Sequence, residues 1–519
     1  MEALEHLWHF KTLVVKCCSD ITSLPESLFR LPSLTNLTLD MPRLSVLPDE
    51  IGHLSKLHTL VLDLKELAML PDSIALLTTL QELALDNLYN LRSLPADLGQ
   101  LNALEKLRLN SLRELTRLPK SFGQMTALQE LKILECWLLQ ELPDSLSQLS
   151  SLEHLEINSC PSFSVLPDEM GNVRLLEVRV CDGVGALLGD EVVLKRTARG
   201  SSARSNSTAS SSGRSIASSS TSRVLFPSLK SLKLKSLPYQ TLGPSLGQLS
   251  SLTKLKLLDM YYLTSLPEAI CQLSRLKRLR IYSAVRLEVL PETFGGLAGL
   301  RVLQLVCLDT IRQLLESFGQ LKMLETLEII DCYTLMKLPR SFANLSKLQF
   351  CTLIKLGISK FPGNFWELSS LQELVLLGLK QVRSLPESFA KLPKLQVLLV
   401  TACNKLVRVP SSIRRMPTLR EFDISECPSL PWRDRRGLRG RENKEAEEEG
   451  EEVAVDEEEE EGGEEAEDEE GGDVAGEGEE ADGEEEGAES GGEDWGINHE
   501  YGLGSEDDGW RAGDDDDEE

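Results

Sequence analysis

Three pairs of cations recur at one place in a repeating pattern. Lys233 and Lys235 alternate with leucine in "SLKLKSL", Lys254 and Lys256 in "LTKLKLL", and Arg278 and Arg280 in "LKRLRIY". A period of two sends the leucines to one face of an extended strand and the cations to the other. Cations gathered on one surface recognise anions, whether carboxylates, phosphoryl groups or a nucleic-acid backbone. The eleven cysteines include no C-x-x-C pair and no disulfide-framework spacing. His6 and His9 in "EHLWH" lack the H-E-x-x-H spacing of a zinc site, and no G-x-x-x-x-G-K-[ST] loop occurs. Kinase and hydrolase signatures are missing as well. The expectation is a protein without catalytic residues, cofactor or metal, whose chemistry is binding.

The charge is unevenly spread. The 519 residues carry a formal −28, but residues 441–519 hold 40 of the 83 acids and only 3 of the 55 lysines and arginines. Residues 1–440 therefore carry 43 acids against 52 bases and are mildly basic. A tail this acidic and this poor in apolar residues is expected to stay disordered. The N-terminus places Glu2 and Glu5 where a secretion signal needs positive charge, and no apolar run approaches the roughly 18 residues of a membrane span. With the unpaired cysteine spacing, this predicts an intracellular protein, cytoplasmic with a nuclear location open.

The element that positions the cations is a repeat. Leu-Pro recurs with its proline at 25, 48, 71, 95, 119, 143 and 167, and again at 267, 291, 339, 386 and 410, mostly 23 or 24 residues apart. One unit reads "LQELKILECWLLQELPDSLSQL". Its L-x-L part has the period of a strand. Its L-P-x-x-h-x-x-L part steps by three, which suits a short 3₁₀ or α turn that proline opens by fixing φ. One unit cannot bury its own leucines, so units must stack into a solenoid with all strands in one parallel sheet. Cys18, Cys136, Cys160, Cys332, Cys403 and Cys427 share one position after the strand. There a small thiol is expected to fill the turn and touch backbone of the next coil.

The pattern L-x-x-L-x-x-L-x-L-x-x-C-x-x-L-x-x-L-P resembles the leucine-rich repeats of plant intracellular nucleotide-binding disease-resistance proteins and of Ras-group leucine-rich-repeat proteins. The resemblance covers nearly all of residues 4–430. It implies an α/β horseshoe with a concave parallel sheet and short convex 3₁₀ or helical segments, of about 16–17 units over residues 1–440. It also implies a non-catalytic recognition scaffold in signalling or defence, with protein partners on the concave face. The nucleotide-binding switch of the plant proteins has no counterpart in this sequence.

On that register the concave face carries the patch Lys233, Lys235, Lys254, Lys256, Arg278 and Arg280, then an apolar stretch: Val302, Val306, Ile354, Val375, Leu377, Val397 and Leu399. These are the expected partner-binding residues. Nucleic acid is disfavoured, because Tyr282 is the lone aromatic near the patch and the net charge repels phosphate. The tethered acidic tail is a further candidate occupant of the patch. Residues 189–225 form a Ser/Arg-rich insertion expected to be a loop. Ser202, Ser207 and Ser218 follow arginines at the spacing basophilic kinases favour, and Ser490 and Ser505 suit acidophilic kinases. The layout of repeats plus acidic tail also resembles that of acidic nuclear phosphoproteins, which leaves a second reading: an acidic-tail binder or chaperone of basic proteins such as histones.

Overall fold

The computed structural model describes residues 8–18, 20–163, 166–167, 170–181 and 226–431. The tail, the Ser/Arg-rich insertion, the five serines singled out above and Trp432 with its following arginines all lie outside the described residues.

Seventeen strands form one parallel sheet. In chain order they are β1 (Thr12–Val15), β2 (Asn36–Asp40), β3 (Thr59–Asp63), β4 (Glu82–Asp86), β5 (Lys106–Asn110), β6 (Glu130–Leu134), β7 (His154–Asn158), β8 (Leu175–Arg179), β9 (Ser231–Lys235), β10 (Lys254–Leu258), β11 (Arg278–Tyr282), β12 (Val302–Val306), β13 (Thr326–Ile330), β14 (Phe350–Ile354), β15 (Glu373–Leu377), β16 (Val397–Thr401) and β17 (Glu421–Ser425). Each strand pairs with its successor, as in Leu37 beside Leu60 and Leu62 beside Leu85. The architecture is a leucine-rich-repeat solenoid, as the repeat predicts. β8 pairs directly with β9, Leu176 beside Leu232, so the long insertion separates two adjoining rungs and replaces none.

Leucines of the L-x-L pair stack into ladders with essentially no exposure, Leu60, Leu83 and Leu107 among them. Opposite the sheet, the Leu-Pro segment opens a one-turn 3₁₀ helix such as Lys120–Gln124, whose preceding Pro119 has φ −61 and ψ 146. One turn, Ser411–Arg414, is α-helical instead. Phe294, Phe318, Phe342 and Phe365 stack from rung to rung with ring centroids 5.7–6.2 Å apart. These turns pack so closely that glycine is required in places: a Cβ on Gly319 would lie 2.2 Å from the Ser341 carbonyl oxygen of the next rung.

A second ladder was not legible in the sequence. The residue just after nearly every strand adopts the left-handed conformation although it is rarely glycine, as in Asn87, Ser111, Asp259, Asp331 and Lys355, with φ between 52 and 58. Its N–H donates to the strand-end carbonyl of the following rung, Asn87 to Asn110 at 2.9 Å and Asp259 to Tyr282 at 2.9 Å. The left-handed turn swings the chain off the sheet while keeping the ladder of hydrogen bonds unbroken.

The cysteine ladder is present with one member the sequence pattern missed, Cys181. Each thiol donates to the carbonyl two residues before it, and from Cys136 onward it also approaches one on the preceding rung. For Cys160 these are Asn158 at 3.3 Å and Ile133 at 3.8 Å. For Cys427 they are Ser425 at 3.3 Å and Val400 at 3.8 Å. The backbone touched therefore belongs to the preceding coil, not the next one. The neighbouring Cys136 thiol, together with burial, pushes the Cys160 thiol up to about 12, so it stays protonated and inert.

Candidate functional site: the open face of the sheet

Five-residue strands with alternating burial leave three outward positions per rung, and the register lines them into three rows. In the first half of the solenoid like charges meet along the rows, Asp40 beside Asp63 beside Asp86 and Arg108 beside Lys132, and ion pairs between rungs offset part of them. Arg108 on β5 grips Asp86 on β4 through Nε at 3.1 Å and Nη2 at 2.5 Å. Lys132 lies 2.8 Å from Glu130 on its own strand and 3.9 Å from Glu156 on the next. Asn87 donates to Asp63 at 2.8 Å. Burial, eased by that hydrogen bond and reinforced by Asp40 and Asp86, still raises the Asp63 carboxyl above its usual value.

Across β8–β11 the rows become predominantly cationic. The middle row reads Glu177, Lys233, Lys256, Arg280, with each residue the direct lateral partner of the next. The first row sets Lys254 opposite Arg278. Arg179 and Lys235 are neighbours in the third row, followed by Leu258, which is buried at 5 % exposure and breaks the run of charge. Lys233 Nζ lies 3.2 Å from Glu177 and Lys235 Nζ 3.4 Å from Asp259. Burial, then Lys233 and Arg280 on the flanking rungs, hold the Lys256 ammonium below the ordinary lysine value. Arg280 sets its guanidinium 5.5 Å from the Tyr282 ring centroid, and its Nε is buried with no acceptor among the described residues. The row closes on β12 and β13, where Gln304 donates to Glu328 at 2.8 Å.

All six cations named from the sequence thus come together on one face. Glu177, Asp259 and Arg179 were missed. Glu177 and Arg179 precede the long insertion, so their adjacency to Lys233 and Lys235 has no signature in local sequence. Asp259 occupies the left-handed position just beyond its strand that Asn87 and Asp331 share, which the strand's alternation does not mark.

The apolar stretch is more covered than alternation predicts. Val302, Val306, Val375, Leu377, Val397 and Leu399 are half-buried, and Ile354 is buried at 7 %. Ile330, beside Ile354 in the third row, is buried at 6 %, so that row is sunk where Lys355 and Asp331 pair beyond the strand ends at 3.3 Å. Ile354 offers a partner little surface. Phe350 at the start of β14, 41 % exposed, offers more and was missed. A separate cluster sits beyond the strand ends, where Arg113 is sandwiched between the Tyr89 and Trp137 rings, 4.4 Å from each centroid. Among the described residues no group of three or more His, Cys, Asp or Glu is disposed to hold a metal. No helix there is long and apolar enough to cross a membrane.

Residues 222–335 match the family described as leucine-rich repeat region. No curated protein matches the chain. Among solved structures, a leucine-rich-repeat protein of Leptospira interrogans is 25% identical with a TM-score of 0.56, over 80% of this chain and 97% of that one. The Toll–Spatzle complex of Drosophila is 17% identical with a TM-score of 0.49, over 78% of this chain and 52% of that one. The functional domain of InlJ from Listeria monocytogenes, described as including a cysteine ladder, is 15% identical with a TM-score of 0.38, over 75% and 74%. Seventeen described rungs in one parallel sheet, joined by 3₁₀ turns, give this chain a leucine-rich-repeat fold.

Proposed function

We propose that the chain is a non-catalytic recognition scaffold that binds protein partners on the open face of its sheet. The observation that carries this reading is the run of like charge through β9, β10 and β11. Cations placed directly opposite one another on neighbouring strands destabilise a sheet, and where Arg108 lies opposite Lys132 on earlier rungs, Asp86, Glu130 and Glu156 sit beside them. Lys233, Lys256 and Arg280 in one row concentrate positive charge of the kind that suits an anionic partner surface. The half-buried valines and leucines of β12, β15 and β16 adjoin the same face and supply apolar contact. The resemblance of the repeats to plant resistance arrays supports a place in signalling or defence, and the reduced, buried thiols support an intracellular one.

The test is affinity capture from native extract with the full chain, the full chain carrying Val375→Lys and Leu399→Lys, and residues 1–440, each at low and high salt. Partners that survive salt, persist on 1–440 and vanish from the double variant establish the sheet face as the binding surface. The acidity of residues 441–519 favours the second reading. A captured set of basic proteins lost with the tail and with salt would assign function there instead.

A further inference from the structure

Tyr89, Arg113 and Trp137 recur 24 residues apart, each two places after the left-handed residue that follows its strand, Asn87, Ser111 and Glu135. Consecutive rungs therefore hold them side by side at the strand spacing of about 4.8 Å. That spacing suits three flat groups stacked face to face, and the Arg113 guanidinium lies 4.4 Å from both ring centroids. One ring is anchored in turn: the Tyr89 hydroxyl donates to Asn87 Oδ1 at 3.3 Å, and Asn87 Nδ2 donates to Asp63 at 2.8 Å.

With a ring over each face, the guanidinium keeps its in-plane edge for hydrogen bonds. No acceptor among the described residues meets its buried Nε. The side chain is already fixed by the stack, so binding at that edge costs little further rotamer entropy. A planar fork of paired donors matches the two oxygens of a carboxylate. A phosphoryl group also fits a fork, but the surroundings favour a single charge. Glu114 follows Arg113, and Glu135 on the next rung accepts from the Ser111 hydroxyl at 2.9 Å. Two acids beside one cation repel a dianion or a nucleic-acid backbone more than a monoanion. Apolar surface adjoins the fork, with Trp137 46% exposed and Leu138 42% exposed. Tryptophan, tyrosine and arginine are also the residues that dominate the energetics of protein interfaces. We infer that Arg113, held between Tyr89 and Trp137, is a docking point for an aspartate or glutamate side chain of a partner protein, whose neighbouring apolar residues cover Trp137 and Leu138. This surface lies beyond the strand ends, apart from the open face, and does not rest on the cations of β9–β11.

The probe is a phage-displayed library of degenerate short peptides, panned on the full-length protein and depleted on its Arg113→Gln variant. Depletion removes peptides that bind the cationic rows of the open face. Surviving families should share an aspartate or glutamate beside apolar residues. By fluorescence anisotropy, synthetic members should lose about tenfold or more in affinity when that acid becomes its amide, and as much on Arg113→Gln. The two changes together should cost little more than either alone, the non-additivity that a direct contact produces. The amide sits in the peptide, so its effect is independent of the protein's folding. Arg113→Lys should recover only part of the binding, because it restores charge without the fork. Lys256→Gln should leave these peptides bound as before, and thermal unfolding of each variant checks that the fold is kept. No family surviving depletion, survivors without a common acid, additive losses, or displacement of the peptides by single-stranded oligothymidylate would overturn the inference.

Discussion

Lys233 Nζ lies 3.2 Å from Glu177 although the two are separated by the whole insertion, because β8 and β9 are lateral neighbours. The pair caps one end of a row whose next two members are also cations. Glu177→Gln removes the carboxylate while keeping its shape. Both side chains are mostly covered, at 21% and 27% exposure, so a loss of about 1 kcal/mol in urea unfolding is expected. The same substitution should tighten binding of an anionic probe several-fold, since the anion then faces less competition. A variant that weakens both fold and binding would show that Glu177 organises the row instead of competing for it.

Lys256 gives the patch a pH signature. Burial and the charges of Lys233 and Arg280 lower its folded-state value below the ordinary 10.5. The folded chain thus releases this proton before the unfolded chain does. Between the two values the unfolded state binds more protons, so this residue's contribution to stability rises as pH increases, and its penalty is full below the folded value. Lys256→Gln should be more stable than the parent near neutrality, with the difference shrinking toward pH 10. Urea midpoints of both proteins at pH 7 and pH 10 measure this, and a difference that grows with pH would contradict it.

Most of the fold was legible because two periods carry it. Leu60, Leu62 and Leu67 have to face inward once the strand and turn are assigned, and the 23–24 residue recurrence then fixes which rung each joins. The cations were legible for the same reason, since their neighbours Leu232, Leu255 and Leu279 are buried. What escaped depends on contacts that no period encodes. Glu177 meets Lys233 across an insertion, and Lys235 meets Asp259 across a left-handed turn. Ile354 alternates correctly yet is buried, because depth across a row depends on the neighbouring side chains and not on the strand's own pattern.

On the opposite side of the solenoid, acid sensitivity should concentrate in carboxylates that cap the following turn. Glu268 accepts from Glu292 N at 2.7 Å, from Thr293 N at 3.2 Å and from the Thr293 hydroxyl. Glu316 repeats the arrangement with Arg340 N at 3.1 Å and Ser341 N at 2.8 Å. The Thr293 hydroxyl holds Glu268 below the ordinary carboxylate value, and the Ser341 backbone N–H does the same for Glu316. A lowered folded value stabilises above the unfolded one, near 4.5, and that gain is lost as pH falls through the folded value. The double variant Glu268→Gln, Glu316→Gln should match the parent most closely at low pH and fall behind above about pH 5, as thermal unfolding from pH 3 to 7 would record. A constant offset across that range would mean the carboxylates cap no better charged than neutral.

The left-handed ladder predicts opposite outcomes for glycine at two of its positions. Val180 holds φ 48 with a β-branched side chain that is 42% exposed, so it carries strain with little packing in return. Its N–H still donates to Lys235 at 3.1 Å and joins the rungs on either side of the insertion. Val180→Gly removes strain of about 1–3 kcal/mol against a backbone-entropy cost of roughly 0.5–1 kcal/mol, for a net gain of up to about 1–2 kcal/mol. Gly378 occupies the same position on its rung at φ 64, and a Cβ there would lie 3.0 Å from Lys355 Cγ. Gly378→Ala should therefore lose stability, but by a modest amount, because the obstructing atom belongs to a flexible side chain. If both substitutions shift the urea midpoint in the same direction, local unfolded-state entropy governs these positions, and the left-handed turn is not where the solenoid stores its strain.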